Sequence, residues 1–415
     1  MGGPLMISLR LLLFVSFVAS FLGASAAKST ITPSHILQKV IDNSADGDTI
    51  YISKGYYKQY NIIVRKQLVL IGEDYPVFDG DKKHEVFIVT APNVVLKGLQ
   101  VQNTGQSSMV DMAGIKLQNT SGVKVTHCKI FNSTYGVYLQ NSTKCTIEAN
   151  EIASNAVDEL QAGNGVHAWK CNSLLIKGND LSGHRDGIYF EFVTSSLIHR
   201  NNSHNNIRYG LHFMFSHNDT YSYNTFQSNG AGVAVMYTKG VTMYKNTFYH
   251  NWGDASYAIL LKDISDSRIE SNKFIKNTIG IYMEGSNRLH VAYNEFSDNG
   301  WAMRIQASCE ANTFEKNNFM GNSFDVATNG TMMMNTFRMN YWDKYDGYDL
   351  DRNGKGDIPY YPVSVYAVIT ERIPTAMILY RSFLTNIMEQ VEKVMPSIIP
   401  DQLKDDTPQM KKWKL

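Results

Sequence analysis

A small residue followed by an aliphatic one recurs down this chain at a nearly constant interval, and that period constrains the fold more than composition does. The landmarks are Gly114, Gly136, Gly165, Gly187, Gly210, Gly232, Ala258, Gly280, Ala302 and Asp325, separated by 22, 29, 22, 23, 22, 26, 22, 22 and 23 residues. Asn150, Asn179, Asn202, Asn224, Asn246, Asn272, Asn294 and Asn317 keep a second phase, each near a turn. A fixed period of this length marks a solenoid. Each unit contains short apolar/polar alternations split by Asn, Gly and Ser, which reads as brief strands and turns. Leucine-rich repeats have a similar period, but their Leu-x-x-Leu-x-Leu consensus is absent. Some 22 residues suit three short strands and three turns, with each strand about 4.8 Å from its equivalent in the next coil. Asn tolerates the left-handed backbone of a sharp turn. The expectation is an all-β chain, a right-handed parallel β-helix of roughly ten coils.

A solenoid needs caps. Pro33 to Ser44 reads as a short amphipathic helix with Ile36, Leu37, Val40 and Ile41 on one face, placed to cover the first coil. Strand-like pieces follow at Thr49–Ile52, Asn61–Val64, Gln67–Ile71 and Val94–Val101, and the coils end near Phe337. Beyond them, Asp349, Asp351, Asn353 and Gly354, followed by Asp357, resemble the front half of a calcium-binding loop. Position 12 is Tyr360 rather than Glu, and Lys355 dilutes the negative charge, so an Asx-rich structural turn is the alternative. Pro374 to Met395 is predicted as one amphipathic helix, with Ile378, Leu379, Phe383, Leu384, Ile387, Met388, Val391 and Val394 at spacings of three and four. Glu389, Glu392 and Lys393 argue against a membrane span. The helix either packs back on the coils or docks on a membrane partner.

At the other end, Arg10 precedes an apolar run from Leu11 to Leu22, and Ala24-Ser25-Ala26 supplies a small-residue cleavage site. Residues 1–26 therefore read as a secretory signal peptide, shorter than the roughly 20 apolar residues that span a bilayer. The division expected is 1–26 signal peptide, 27–339 capped β-helix, and 340–415 acidic turn, docking helix and tail. A formal net charge of +1 over 415 residues gives no electrostatic case for a nucleic-acid partner. Cys128, Cys145, Cys171 and Cys309 match no disulfide framework or CxxC metal site and read as buried thiols.

Side chains alternate across a strand, so residues two and four after a landmark face outward. The outer columns then run His167 and Trp169, Tyr189 and Glu191, His212 and Met214, Ala234 and Met236. Outer positions normally carry residues such as Lys116 and Gln118. Imidazole and thioether instead suit Cu(I), so His212, Met214 and Met236, with His250 on the next coil, form a candidate copper site. Met109 and Met112, Asn155–Asn164 and Trp252–Tyr257 lie in insertions, which on a solenoid tend to mark one functional face. Exposed Met packed under a loop and a structural His-aromatic ladder are the plainer readings. A different reading is a carbohydrate-active enzyme on acidic polysaccharide, drawing on His184, Arg185, Asp186, Glu191, Arg208 and His212, with Asp186 and Glu191 as an acid/base pair. The face is aromatic and thioether-rich rather than basic, which suits polyanions poorly.

Several runs together resemble the NosD family of periplasmic β-helix proteins: His184-Arg-Asp-Gly-Ile-Tyr-Phe-Glu191, Arg208-Tyr-Gly-Leu-His-Phe-Met-Phe215, Asn229-Gly-Ala-Gly-Val-Ala-Val-Met236, His250-Asn-Trp-Gly253 and Asn340-Tyr-Trp-Asp343. The resemblance spans nearly the whole mature chain, including the C-terminal tail. It implies a non-enzymatic protein in the periplasm, held at the membrane by the permease and ATPase of an ABC transporter. It further implies that the protein takes copper from a lipoprotein chaperone and assists maturation of nitrous oxide reductase.

Overall fold

The computed structural model describes residues 27–415 except 108, 160–161, 331–333, 380–381, 386 and 389–402. The expected signal peptide lies outside the described residues.

The chain winds as a parallel β-helix of about 13 turns, ~23 residues each. Its strands stack into three sheets of fourteen, twelve and thirteen members, called here sheets I, II and III. Strands neighbouring in a sheet are one coil apart and parallel. The count exceeds the ten coils expected because the first coils lack the landmark. There, Thr49–Ile52, Val69–Gly72 and Val95–Lys97 stack in sheet I beside short sheet II strands, Ile62–Val64 and Phe87–Val89. A strand not foreseen, Lys28–Ile31, opens sheet I.

The landmark position is small for a steric reason. It sits at the corner entering sheet II with its Cα against the next coil. A Cβ on Gly165 would lie 2.6 Å from the Gly187 carbonyl oxygen, and one on Gly210 would lie 2.8 Å from that of Gly232. Asp325 can hold the position because its strand, Phe324–Thr328, is the last of sheet II.

The periodic asparagines tie the coils together from beside the turn, whereas others, such as Asn119, Asn132 and Asn141 with φ of 50°, 49° and 48°, form turns themselves. The residue before each periodic asparagine is left-handed: Arg200, Tyr223, Lys245, Ser271 and Tyr293 have φ of 54°, 56°, 51°, 57° and 56°. The asparagine that follows turns inward. Each amide oxygen accepts from the backbone and side-chain N–H groups of the preceding rung, as Asn246 does from Asn224 at 3.0 and 3.0 Å. The ladder runs through Asn150, Asn179, Asn201, Asn224, Asn246, Asn272, Asn294, Asn317 and Asn340. Asn201, not Asn202, holds the third rung; Asn202 faces outward and donates to Asp180 at 2.7 Å. A second ladder, missed in the sequence, links Asn206, Asn229, Asn251, Asn277, Asn299 and Asn322. Beside them runs a stack of core rings, Phe226, Phe248, Phe274, Phe296, Phe319 and Trp342. The four cysteines are buried and free. Burial pushes the Cys128 and Cys171 thiols up to about 11 and about 12.

The N-terminal cap is the helix Leu37–Asn43, with Leu37 and Ile41 buried. It starts later than Pro33 because Thr32–His35 closes a turn first. At the far end a helix not foreseen precedes the one expected over Pro374–Met395, whose first residues form a 3-10 segment and whose residues 383–385 and 387–388 are α-helical. An α-helix, Val365–Arg372, starts at Ser364, whose side chain accepts from the Ala367 N–H; a 3-10 segment, Pro374–Leu379, follows. The helix ends before Pro374, as the restriction on the residue preceding proline requires. Tyr366 and Ala367 pack on Phe324 and Ala327 of sheet II. The rest of the predicted helix lies partly outside the described residues. Residues 403–415 then return to the last coil, bridging Phe337 to Asp405 and Tyr341 to Gln409.

Candidate functional site

The register of sheet II fixes the outer columns in the order the alternation predicts. His167 pairs with Tyr189, Tyr189 with His212, and His212 with Ala234. Beside them Trp169 meets Glu191, Glu191 meets Met214, Met214 meets Met236, and Met236 meets Lys262. The first column is a ladder of rings: Tyr138 to His167, His167 to Tyr189 and Tyr189 to His212 have centroids 4.8, 4.8 and 5.0 Å apart. Tyr209 closes on His212 from its own strand at 4.9 Å.

The face is not a solvated surface. Insertions leave it where sheet III hands over to sheet II, and they place carboxylates against it. Glu159 reaches Arg208 at 3.5 Å. The charge of Asp111 acts on Tyr135, Tyr138 and His167. Under this cover His212 is 5% exposed, Asp186 0% and Ala234 0%. Burial pushes His167 down to about 4, so its imidazole is neutral at physiological pH. Burial, and then the charge of Glu191, push the Tyr189 hydroxyl up to about 12.

Asp186 anchors the centre. It accepts from Arg208 through Nε at 2.9 Å and Nη2 at 2.6 Å. Burial alone would raise its pKa, but hydrogen bonds from His212 and Arg208 and the Arg208 charge outweigh it, and the carboxyl lies below its ordinary value. This pairing was not read from the sequence. The signal was there: Asp186 and Arg208 are 22 residues apart, one coil, and Arg208 and His212 are four apart on the same stretch.

Among the described residues, three buried polar atoms on consecutive coils here have no hydrogen-bond partner: Asn164 Oδ1, Arg185 Nε and His212 Nε2. An unpaired buried polar atom costs about 1–3 kcal/mol, so such a group is a place for a ligand or a water. Beside His212 stand the half-buried thioethers of Met214 and Met236, register partners on adjacent strands. The Tyr189 hydroxyl oxygen lies 3.6 Å from Met214 Sδ. An imidazole nitrogen and two thioether sulfurs on neighbouring strands are donors of the soft to borderline kind that suits Cu(I).

His250 does not join them. It lies exposed in the turn after the sheet III strand Thr247–Tyr249, with its ring 6.0 Å from Tyr249. Being on the next coil in sequence put it on a different sheet. His184 likewise faces inward: its N–H donates to Asn206 Oδ1 at 3.1 Å at the head of the second ladder, and burial takes the imidazole down to about 4. Asp186 and Glu191 stand at opposite ends of one strand with different partners. Asp186 is sealed in its ion pair with Arg208, while Glu191 accepts from Tyr189 at 3.4 Å at the other end of the strand.

Asp349, Asp351 and Asp357 bring carboxylate oxygens within 4.8 Å of one another. The same oxygens accept from the chain's own amides: Asp349 from Asn353 N at 3.0 Å and Gly354 N at 2.8 Å, Asp351 from Asn353 Nδ2 at 2.7 Å, and Asp357 from Leu350 N at 2.7 Å. Asn353 Oδ1 accepts from Lys355 N at 2.8 Å. These bonds account for the turn as an Asx-rich structure.

Among solved structures, the chain resembles the surface adhesin PfbA of Streptococcus pneumoniae, with TM-score 0.50 and 12% identity over 73% of this chain and 86% of the adhesin. That likeness concerns the solenoid alone. Two curated relatives carry the name "Probable ABC transporter binding protein NosD". The one from Pseudomonas aeruginosa is 26% identical over 88% of this chain and 89% of its own length. The one from Stutzerimonas stutzeri is 24% identical over 96% and 93%. A family model described as "Periplasmic copper-binding protein (NosD)" matches residues 41–161 and 151–347, which takes in all the coils that build the site. With that match, the chain belongs to the NosD family of periplasmic copper-binding proteins.

Proposed function

We propose that this protein is the copper-handling component of an ABC transporter assembly, and that it carries Cu(I) on His212, Met214 and Met236. The observation that carries this reading is the donor set itself: the bare Nε2 of His212 beside two thioethers, on a covered face of a protein from a copper-binding family. Soft ligands favour Cu(I) over harder ions. His212 is nearly buried, which suits a carrier that shields its cargo from solvent until it meets a partner. Asp186 and Glu191 have no part in turnover here, and the protein works as a carrier rather than an enzyme.

The setting follows the family. The chain acts in the periplasm, with residues 1–26 as the export signal, between a lipoprotein copper chaperone and nitrous oxide reductase. It is held at the membrane by the permease and ATPase. The C-terminal excursion supports this contact, since it leaves Ile378 89%, Phe383 81% and Leu384 51% exposed. Apolar side chains gathered this way mark an interaction surface.

The test is Cu(I) titration of the exported protein under reducing conditions, in competition with a chromophoric chelator. Met214→Leu/Met236→Leu and His212→Gln are each expected to weaken binding at least tenfold without changing the circular dichroism. Affinity equal to wild type in both rejects the site.

A further inference from the structure

Naming His212 as a ligand leaves open which of its nitrogens meets the metal. Nδ1 lies 3.5 Å from Arg208 Nη2 and 3.5 Å from Asp186 Oδ2. It is thus held against the ion pair whichever of the two it bonds. Nε2, on the far side of the ring, is buried and has no partner among the described residues. The ring is wedged between Tyr189 and Tyr209, with centroids 5.0 and 4.9 Å away. A half-turn about Cβ–Cγ would set a carbon against the ion pair and lose the Nδ1 contacts.

The ion pair is itself fixed. Asp186 is fully buried and held twice by Arg208. The guanidinium lies over the Tyr209 ring, 5.0 Å from its centroid, and is braced by Glu159 from the covering loop at 3.5 Å. Metal-binding histidines commonly have their second nitrogen held by a carboxylate in this way, and loss of such a partner weakens metal binding by roughly 10–100-fold.

Resting on the copper reading above, we infer that Cu(I) binds His212 through Nε2, and that Asp186 and Arg208 are positioning residues that hold the ring by Nδ1. In the loaded form the imidazole keeps its single proton on Nδ1, donated to Asp186, and its lone pair on Nε2 goes to the metal. No proton is released to solvent.

The decisive experiment uses the full exported chain, labelled with 15N at histidine and kept reduced. Long-range proton–nitrogen spectra are recorded before and after one equivalent of Cu(I), which is diamagnetic. The His212 signals are identified by their loss in His212→Gln. The expected result is a coordination shift at Nε2 while Nδ1 stays protonated. A shift at Nδ1 with Nε2 unmoved overturns the inference and leaves the copper reading standing; no shift at either nitrogen overturns both. In a second arm, Asp186→Asn is expected to bind Cu(I) roughly tenfold or more weakly with the thioethers intact. Unchanged affinity overturns the positioning role. If that variant fails to fold, the wild-type spectra still decide the nitrogen.

Discussion

Asp405 accepts from both the backbone N–H and the side-chain amide of Asn340, at 2.9 and 3.0 Å, and so takes the rung that a further asparagine would fill. It also accepts from Met339 N and from the Trp342 indole, at 3.1 and 3.2 Å. Asp405→Ala strands these buried donors and is expected to destabilise the protein by about 3 kcal/mol or more. Asp405→Asn keeps an acceptor in the same place and should lose clearly less. Denaturant unfolding of both variants makes the comparison, and equal losses would contradict the rung assignment.

Within the ladder every hydrogen-bonding site of a rung is used. Asn246 accepts twice from Asn224 and donates to Tyr221 O at 2.9 Å and Asn272 Oδ1 at 3.0 Å. Asn246→Leu leaves unpaired groups on both neighbouring coils, for a predicted loss of about 3 kcal/mol or more. Asn202→Ala, on the outer face, should stay within about 0.5 kcal/mol of wild type. Thermal melts that rank the two alike would argue against the ladder as a main source of stability.

Asp219 gives a pH signature. It is buried, its Oδ1 accepts from Ser196 N at 2.7 Å, its Oδ2 has no hydrogen-bond partner among the described residues, and burial raises its pKa to about 7. The folded chain therefore holds a proton that the unfolded chain releases near pH 4. Stability falls as the pH climbs from about 4 to about 7 and then levels off. Asn312 already fills the equivalent position further along, accepting from Leu289 N at 2.8 Å. Asp219→Asn should consequently raise the melting temperature by several degrees at pH 8, have less effect at pH 5, and flatten the decline between them.

The Asp186–Arg208 pair has the opposite pH dependence. Because the folded pKa of Asp186 lies below its unfolded value, the pair's contribution is present above about pH 4 and is lost as the pH falls through the lowered value. Arg208→Met leaves an uncompensated buried carboxylate, which costs about 3–5 kcal/mol near neutrality. The deficit should shrink toward pH 3, where Asp186 can take a proton. A deficit that does not change with pH would show that Arg208 matters through packing alone.

The solenoid was legible because its causes are local and repeated. The corner entering sheet II admits only a small residue, so Gly165 and Gly210 announce it in the sequence. Columns such as Glu191–Met214–Met236 follow from strand alternation plus one period. What was not legible depends on direction at corners. Asn201 and Asn202 are adjacent, and only the backbone at Arg200 decides which one turns inward. His250 follows Met236 on one coil yet sits in the turn after a sheet III strand. The salt bridge that steadies His212 depends on distances between coils, which the period places near one another without saying which atoms meet. The α-helix Val365–Arg372 was missed because the apolar spacing was read only from Pro374 onward.

Residues 340 and 405 are neighbours in space but 65 apart along the chain. The coils can form one after another as the polypeptide emerges, each on the template of the last. The closing rung cannot, because it waits for the excursion after Val363 to be made and its far end to come home. Completion is thus a late event set by the order of synthesis, and until it happens Trp342 and the last pairs of amides stand open. A chain cut short within the excursion would be almost fully wound and still unsealed, in the form most open to added strands or to proteolysis.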